Sequence, residues 1–188
     1  MRWLRPLLVL AGIVLASHAS AGSLQIKPGL WKVENRVSAA GGQMGAAQAE
    51  LQRKLAAMPP EQRKMMESMM ASQGLKVGAG GPLEVSGRIC MTQAMIDRHE
   101  LPVQEGNCKT TLQSRTGNEM RMKFECTDPT SRGEGRYTIV SPEAYTMNMV
   151  VNATVEGKPE KMTLDARGTW LQADCGSTRP DTWSSAPK

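Results

Sequence analysis

The alternation of apolar and polar side chains changes character several times along the chain. Trp31, Val33 and Val37 alternate with Lys32, Glu34 and Arg36 after a turn at Lys27-Pro28-Gly29, and a period of two predicts a strand with one buried face. Leu83, Val85 and Ile89 repeat that period over 83–89. Between the two strands the period lengthens: Met44, Ala47, Leu51, Leu55 and Met58 follow steps of three and four, which predicts an amphipathic helix. Pro59-Pro60-Glu61 breaks the run and restarts it, with proline in the first turn and an acid at the positive end of the helix dipole. The second helix extends to about Gln73 and stops at Gly74. A connector with Gly78, Gly80, Gly81 and Pro82 follows. Thirty residues in two helices bury no core alone, so 44–74 reads as a helical hairpin inserted into a β domain.

Strand periodicity dominates the rest. Thr92 is positioned as N-cap of a short helix through about Arg98, ended by Leu101-Pro102. Residues 108–115 and 119–126 form a hairpin around Gly117-Asn118. Cys108, Thr110, Leu112 and Ser114 share one face of the first arm, and Met120, Met122, Phe124 and Cys126 one face of the second. For those sets to face the same way the loop must hold an odd number of residues, three or five. Tyr137 and Ile139, then Met147, Met149, Val151, Ala153 and Val155, then Met162, Leu164, Ala166, Gly168 and Trp170 each mark one face of a further strand, with turns at Ser141-Pro142-Glu143 and Gly157-Lys158-Pro159. Five or six such strands predict a mainly β (α+β) fold, an antiparallel meander curled into a half-open barrel.

The chain begins with a leader. Arg2 and Arg5 precede an apolar run over 7–16, and Ala19-Ser20-Ala21 is a small-x-small cleavage pattern, the parts of a secretory signal peptide cut after Ala21. The run is about ten residues where a membrane-spanning helix needs about 20. A processed, periplasmic protein that does not span the membrane is therefore expected, with one domain over 22–176 and a disordered tail over 177–188.

Removing the leader lowers the net charge from +5 to +3. Lys and Arg are scattered in the sequence and six aromatics remain, so the basic isoelectric point reads as solubility and no nucleic-acid partner is expected. Leu, Ile, Val and Phe make up 24 of the 167 processed residues, and 13 methionines raise the apolar set to 37. Thioether side chains must fill a core that branched aliphatics and rings usually supply.

Cys90, Cys108, Cys126 and Cys175 all lie in the processed chain, and an even count in an exported domain predicts two disulfides. Steps of 18, 18 and 49 residues do not match a zinc site or a C-x-x-C redox centre. A short loop around the Thr92 helix favours Cys90–Cys108 with Cys126–Cys175, the expected pairing. Hairpin parity favours the alternative, Cys108–Cys126 with Cys90–Cys175. On the second helix Met65, Met66, Met69 and Met70 cover an arc of roughly 140°. Thioethers suit monovalent copper, but a pliable apolar face for a partner or lipid-like ligand is the plainer reading.

Several local segments together have a family likeness. Lys27-Pro28-Gly29-Leu30-Trp31-Lys32-Val33, Met58-Pro59-Pro60-Glu61-Gln62-Arg63, Cys90-Met91-Thr92-Gln93, Cys108-Lys109, Phe124-Glu125-Cys126, Gly168-Thr169-Trp170 and Asp174-Cys175 occur in order over 24–176. In this the chain resembles domain of unknown function 3617, a group of exported bacterial proteins. The resemblance implies a periplasmic β-rich domain with paired cysteines and no known activity.

Catalytic chemistry finds little support. His18 leaves with the leader, His99 stands alone among charges, and no nucleophile elbow, H-E-x-x-H, P-loop or dinucleotide fingerprint occurs. A non-enzymatic protein without cofactor is expected. Its role reads as a binding or carrier domain for an apolar ligand or envelope partner, through Met65, Met66, Met69, Met70, Met147 and Met149. The alternatives are copper handling by the methionine helix and a structural or stress-related envelope protein.

Overall fold

The computed structural model describes residues 25–39, 41–77, 81–98, 107–128 and 130–180. The expected leader over 1–21, Gly78, Gly80, His99, Leu101 and Pro102 lie outside them, as do residues 181–188 of the expected tail. The strands are β1 (Gly29–Ala39), β2 (Leu75–Val77), β3 (Leu83–Met91), β4 (Cys108–Thr116), β5 (Glu119–Thr127), β6 (Thr130–Ser141), β7 (Ala144–Val155) and β8 (Lys158–Gln172). The helices are α1 (Gly42–Ala57), α2 (Pro60–Ser72) and α3 (Gln93–Asp97).

All eight strands pair antiparallel in one sheet, in the order β2-β3-β1-β8-β7-β6-β5-β4. The meander β4 to β8 starts at one edge and walks back to β1, so the first and last long strands lie side by side. Trp31 and Val33 of β1 nevertheless share one buried cluster with Met120 and Met122 of β5. Three strands separate β1 from β5, roughly 19 Å in a flat sheet, so the contact requires strong curling. The core occupies the inside of the curl, and β2 and β4 remain at opposite ends of the strand order, so the expected half-open barrel is observed.

Strand alternation places the inner face as expected. Trp31, Val33, Ile89, Met91, Met120, Met122, Tyr137, Ile139 and Tyr145 form the main cluster, with Phe124, Cys126 and Met149 in a second. Glycines stand at three inner positions of β6 and β8. A Cβ at Gly133 would overlap the Phe124 ring, one at Gly168 the Tyr145 ring, and one at Gly135 the β7 backbone at Asn148 and Met149. Side chains of neighbouring strands lie over the bare backbone at Gly133 and Gly168.

The β4–β5 hairpin corrects the expectation of an odd loop. Its turn is the two residues Gly117-Asn118, with Thr116 opposite Glu119. A bulge between Leu112 and Ser114 shifts the register by one residue. Gln113 is thus the extra residue that an odd loop was to supply, and beyond the bulge Leu112 faces Met122 and Cys108 faces Cys126.

The disulfides are Cys90–Cys175, with a Cα separation of 5.5 Å, and Cys108–Cys126, at 4.0 Å. The expected Cys90–Cys108 and Cys126–Cys175 pairs are therefore corrected. Cys90 stands on β3 and Cys108 on β4, and these strands lie near opposite ends of the strand order. Cys108 and Cys126, by contrast, are direct cross-strand neighbours on the inner face.

The two helices of the insertion follow their signals closely. Glu61 stands in the first turn of α2, and Gly74, at φ +75°, ends the segment beyond the Gln73 C-cap. Thr92 caps α3, its Oγ1 accepting from the Met95 N–H at 3.2 Å. In the tail, the Thr178 N–H donates to the Cys175 carbonyl at 3.0 Å.

Candidate functional site

The family-like segments at the two ends of the chain meet in one clasp. Trp31 of β1 pairs across strands with Trp170 of β8. The Trp31 indole N–H donates to the Lys27 carbonyl and the Trp170 indole N–H to the Pro28 carbonyl, both at 3.0 Å. Lys27 Nζ lies 4.8 Å from the centre of the Trp170 ring and pairs with Glu143 in the β6–β7 turn. Two backbone bonds join the same turn, Lys27 N–H to the Pro142 carbonyl and Trp170 N–H to the Glu143 carbonyl, each at 2.9 Å. Gly29 at φ +134° lets β1 approach β8, since any Cβ there would overlap the Gln172 carbonyl. Leu30 stands opposite Cys90, whose disulfide to Cys175 anchors the segment after β8 at this end. These polar groups hold β1, β7 and β8 together, which is a structural task.

Behind the clasp lies an aromatic wall. Tyr145 stacks on Tyr137 at 4.7 Å between ring centres and meets Trp31 at 5.4 Å. Burial raises the pKa of both phenols, and at Tyr137 the neighbouring Tyr145 adds to the rise. Neutral phenols in an apolar wall are packing groups with no proton to give near neutral pH.

The methionines divide by position. Met149 is buried and Met147 is packed half-buried against both core clusters, so this pair of the expected ligand face is core. On α2 no residue is buried. Met66 and Met70 are half-buried, whereas Met65 is 74% and Met69 55% exposed. The stripe offered to copper is thus split between a docked pair and a protruding pair.

The hairpin does not sit as a lid across the methionines of β7. Its principal contacts are α1 with β1 and β8, and α2 with β2. Leu55 is the buried residue of α1, and Gln48 bridges to β1 through the Val37 carbonyl and the Ala39 N–H. The N-terminus of α1 has no cap of its own and no acid in its first turn. Glu160 of β8, 97% buried, fills that place, its Oε1 accepting from the Gln43 N–H. A carboxylate at a helix N-terminus complements both the free N–H groups and the dipole. The sequence carried no sign of it, because Glu160 lies 117 residues from Gln43.

Two cavities, about 400 and 660 Å³, lie on the opposite, polar face of the sheet. Charged groups of β1, β3, β5, β6 and β8 line them, which suits no apolar ligand. Among the described residues no three His, Cys, Asp or Glu side chains gather as a metal site, and no helix is long and apolar enough to cross a membrane.

Fold and site together define a disulfide-bonded antiparallel half-barrel whose clasp and helix cap serve the architecture. The chain belongs to the protein-of-unknown-function family DUF3617, whose model matches residues 26–175. It is 33% identical over 143 residues to a Pseudomonas putida protein described as an uncharacterized protein in the lpd-3 5' region, covering 75% of this chain and 94% of that protein. No solved structure matches.

Proposed function

We propose that the protein is an exported, non-enzymatic docking domain of the bacterial envelope that holds an apolar segment of a partner protein through α2. The observation that carries this reading is the unburied methionine face: Met65 and Met69 protrude one turn apart on a helix with no buried residue. Flexible thioethers adapt to varied apolar surfaces at little steric cost. A partner segment is favoured over a carried small molecule, because small ligands occupy concave apolar sites, and the two cavities above are lined by charges. Export is supported by the leader and by two disulfides, which persist in oxidising compartments.

Site-specific photo-crosslinking in intact cells tests the docking role. A photoreactive residue at position 65 or 69 is expected to give one discrete adduct, absent when it stands at Asn152 on the polar face. Met65→Ser with Met69→Ser, monitored from a photoreactive residue at Ser68, is expected to abolish the adduct. An adduct that survives the double substitution removes the reading. The processed chain should be released from the periplasm with Gly22 as its first residue, and retention of the leader would contradict export by cleavage.

A further inference from the structure

Lysines and arginines that are scattered in the sequence are gathered by the sheet. Strand register places eleven of them on the polar face against six acids. That excess of five equals the net +5 of the entire 188-residue chain. Several of the acids are already engaged. Arg36 pairs with Glu84 at 2.9 Å, Asn148 donates to Asp165 at 2.6 Å, and Arg136 and Arg121 share Glu119 at 3.2 and 3.6 Å. Lys76, Lys109, Arg132, Lys161 and Arg167 are exposed and have no ion-pair partner among the described residues. The two cavities share Asn148 and Asp165, so they adjoin, and their linings together extend from Lys76 on β2 to Gln113 on β4.

We propose that this face is an electrostatic docking surface for the anionic headgroup layer of a membrane. Charge complementarity is the first argument: exposed cations on β2, β4, β6 and β8 match a layer of phosphates better than one point ligand. Surface composition is the second. Trp31, Phe124, Tyr137 and Tyr145 are buried on the other face and Trp170 pairs with Trp31 there, so among the described residues the polar face has no stacking platform of the kind single-stranded nucleic acid uses.

Vesicle co-sedimentation of the oxidised processed chain, residues 22–188, tests the proposal. Vesicles of phosphatidylcholine with 30% phosphatidylglycerol are expected to bind it at low salt, pure phosphatidylcholine vesicles not to, and about 0.5 M NaCl to release it. Each exposed cation neutralised is expected to weaken binding about fivefold. Lys76→Gln, Arg132→Gln, Lys161→Gln and Arg167→Gln together are therefore expected to weaken it by about two orders of magnitude or more, with the circular dichroism spectrum unchanged. All methionines stay in place in these variants, so failure here leaves the α2 reading standing, and the crosslinking test leaves this one. Absence of binding to the anionic vesicles overturns the proposal, as does equal binding by the fourfold variant. Equal affinity for a DNA duplex, abolished in the same variant, overturns the membrane as partner and leaves a general polyanion surface.

Discussion

Replacing Gly168 with alanine adds one methyl group where the Tyr145 ring covers bare backbone. The ring is held on two sides, by Tyr137 at 4.7 Å and Trp31 at 5.4 Å between centres, and cannot swing away without breaking both interactions. Forcing a methyl into such a packed site costs about 1–3 kcal/mol. Disrupting either aromatic pair adds about 0.5–1.5 kcal/mol, while alanine in place of glycine in a strand returns about 0.5–1 kcal/mol. The expected net destabilisation is about 0.5–4 kcal/mol, centred on about 2 kcal/mol, by these figures combined. Urea unfolding of the oxidised chain measures it, followed by tryptophan fluorescence because Trp31 is fully buried beside the site. The decisive arm is a double-mutant cycle with Tyr145→Ala. Without the ring, Gly168→Ala should be neutral or stabilising by about 0.5–1 kcal/mol. If Gly168→Ala costs the same with and without Tyr145, ring coverage is not the reason for glycine at this position.

Further outcomes follow from the same core and its staples. The chain has two tyrosines, both with raised pKa from burial; neutral phenol is favoured in the fold, so this stabilisation is complete below pH about 10, where unfolded tyrosine titrates, and is lost as pH rises above it. Absorbance at 295 nm should stay flat near pH 10 in the native protein and rise for both tyrosines in denaturant, and ordinary native titration with intact near-ultraviolet dichroism would refute the buried stack. Peptide mapping without reduction should recover Cys90–Cys175 and Cys108–Cys126. Their sequence separations of 85 and 18 correspond to about 4.6 and 3.2 kcal/mol of chain-entropy stabilisation. Replacing the first pair with alanines should therefore cost more than replacing the second, and the reverse order would show that loop length does not govern their contributions.

Where the local pattern was strong, the local structure followed it. The Pro60 start and Gly74 stop of α2, the Thr92 cap and the inner faces of β1, β5 and β7 were legible because each depends on residues within a few positions of one another. β2 was missed because three residues are too few to show a period. The first half of β6 was missed because Gly133 and Gly135 stand at inner positions, where alternation calls for apolar side chains. Their space is filled by Phe124 and by β7, which only the pairing reveals.

The sequence by itself determined the element types, the half-open β class and the even cysteine set, since these rest on periodicity, capping and composition, and it carried the ordered local segments through which the family likeness is visible. Tertiary structure alone decided the disulfide pairing, because β3 and β4 lie far apart in the strand order. The cap that Glu160 gives to α1 and the separation of core methionines from the protruding pair were likewise decided there. So was the gathering of charge: alternation assigns each cation a side of its own strand, but only lateral pairing over eight strands turns those sides into one basic face. Such features depend on which distant segments become neighbours, and that is a property of the whole curl of the sheet.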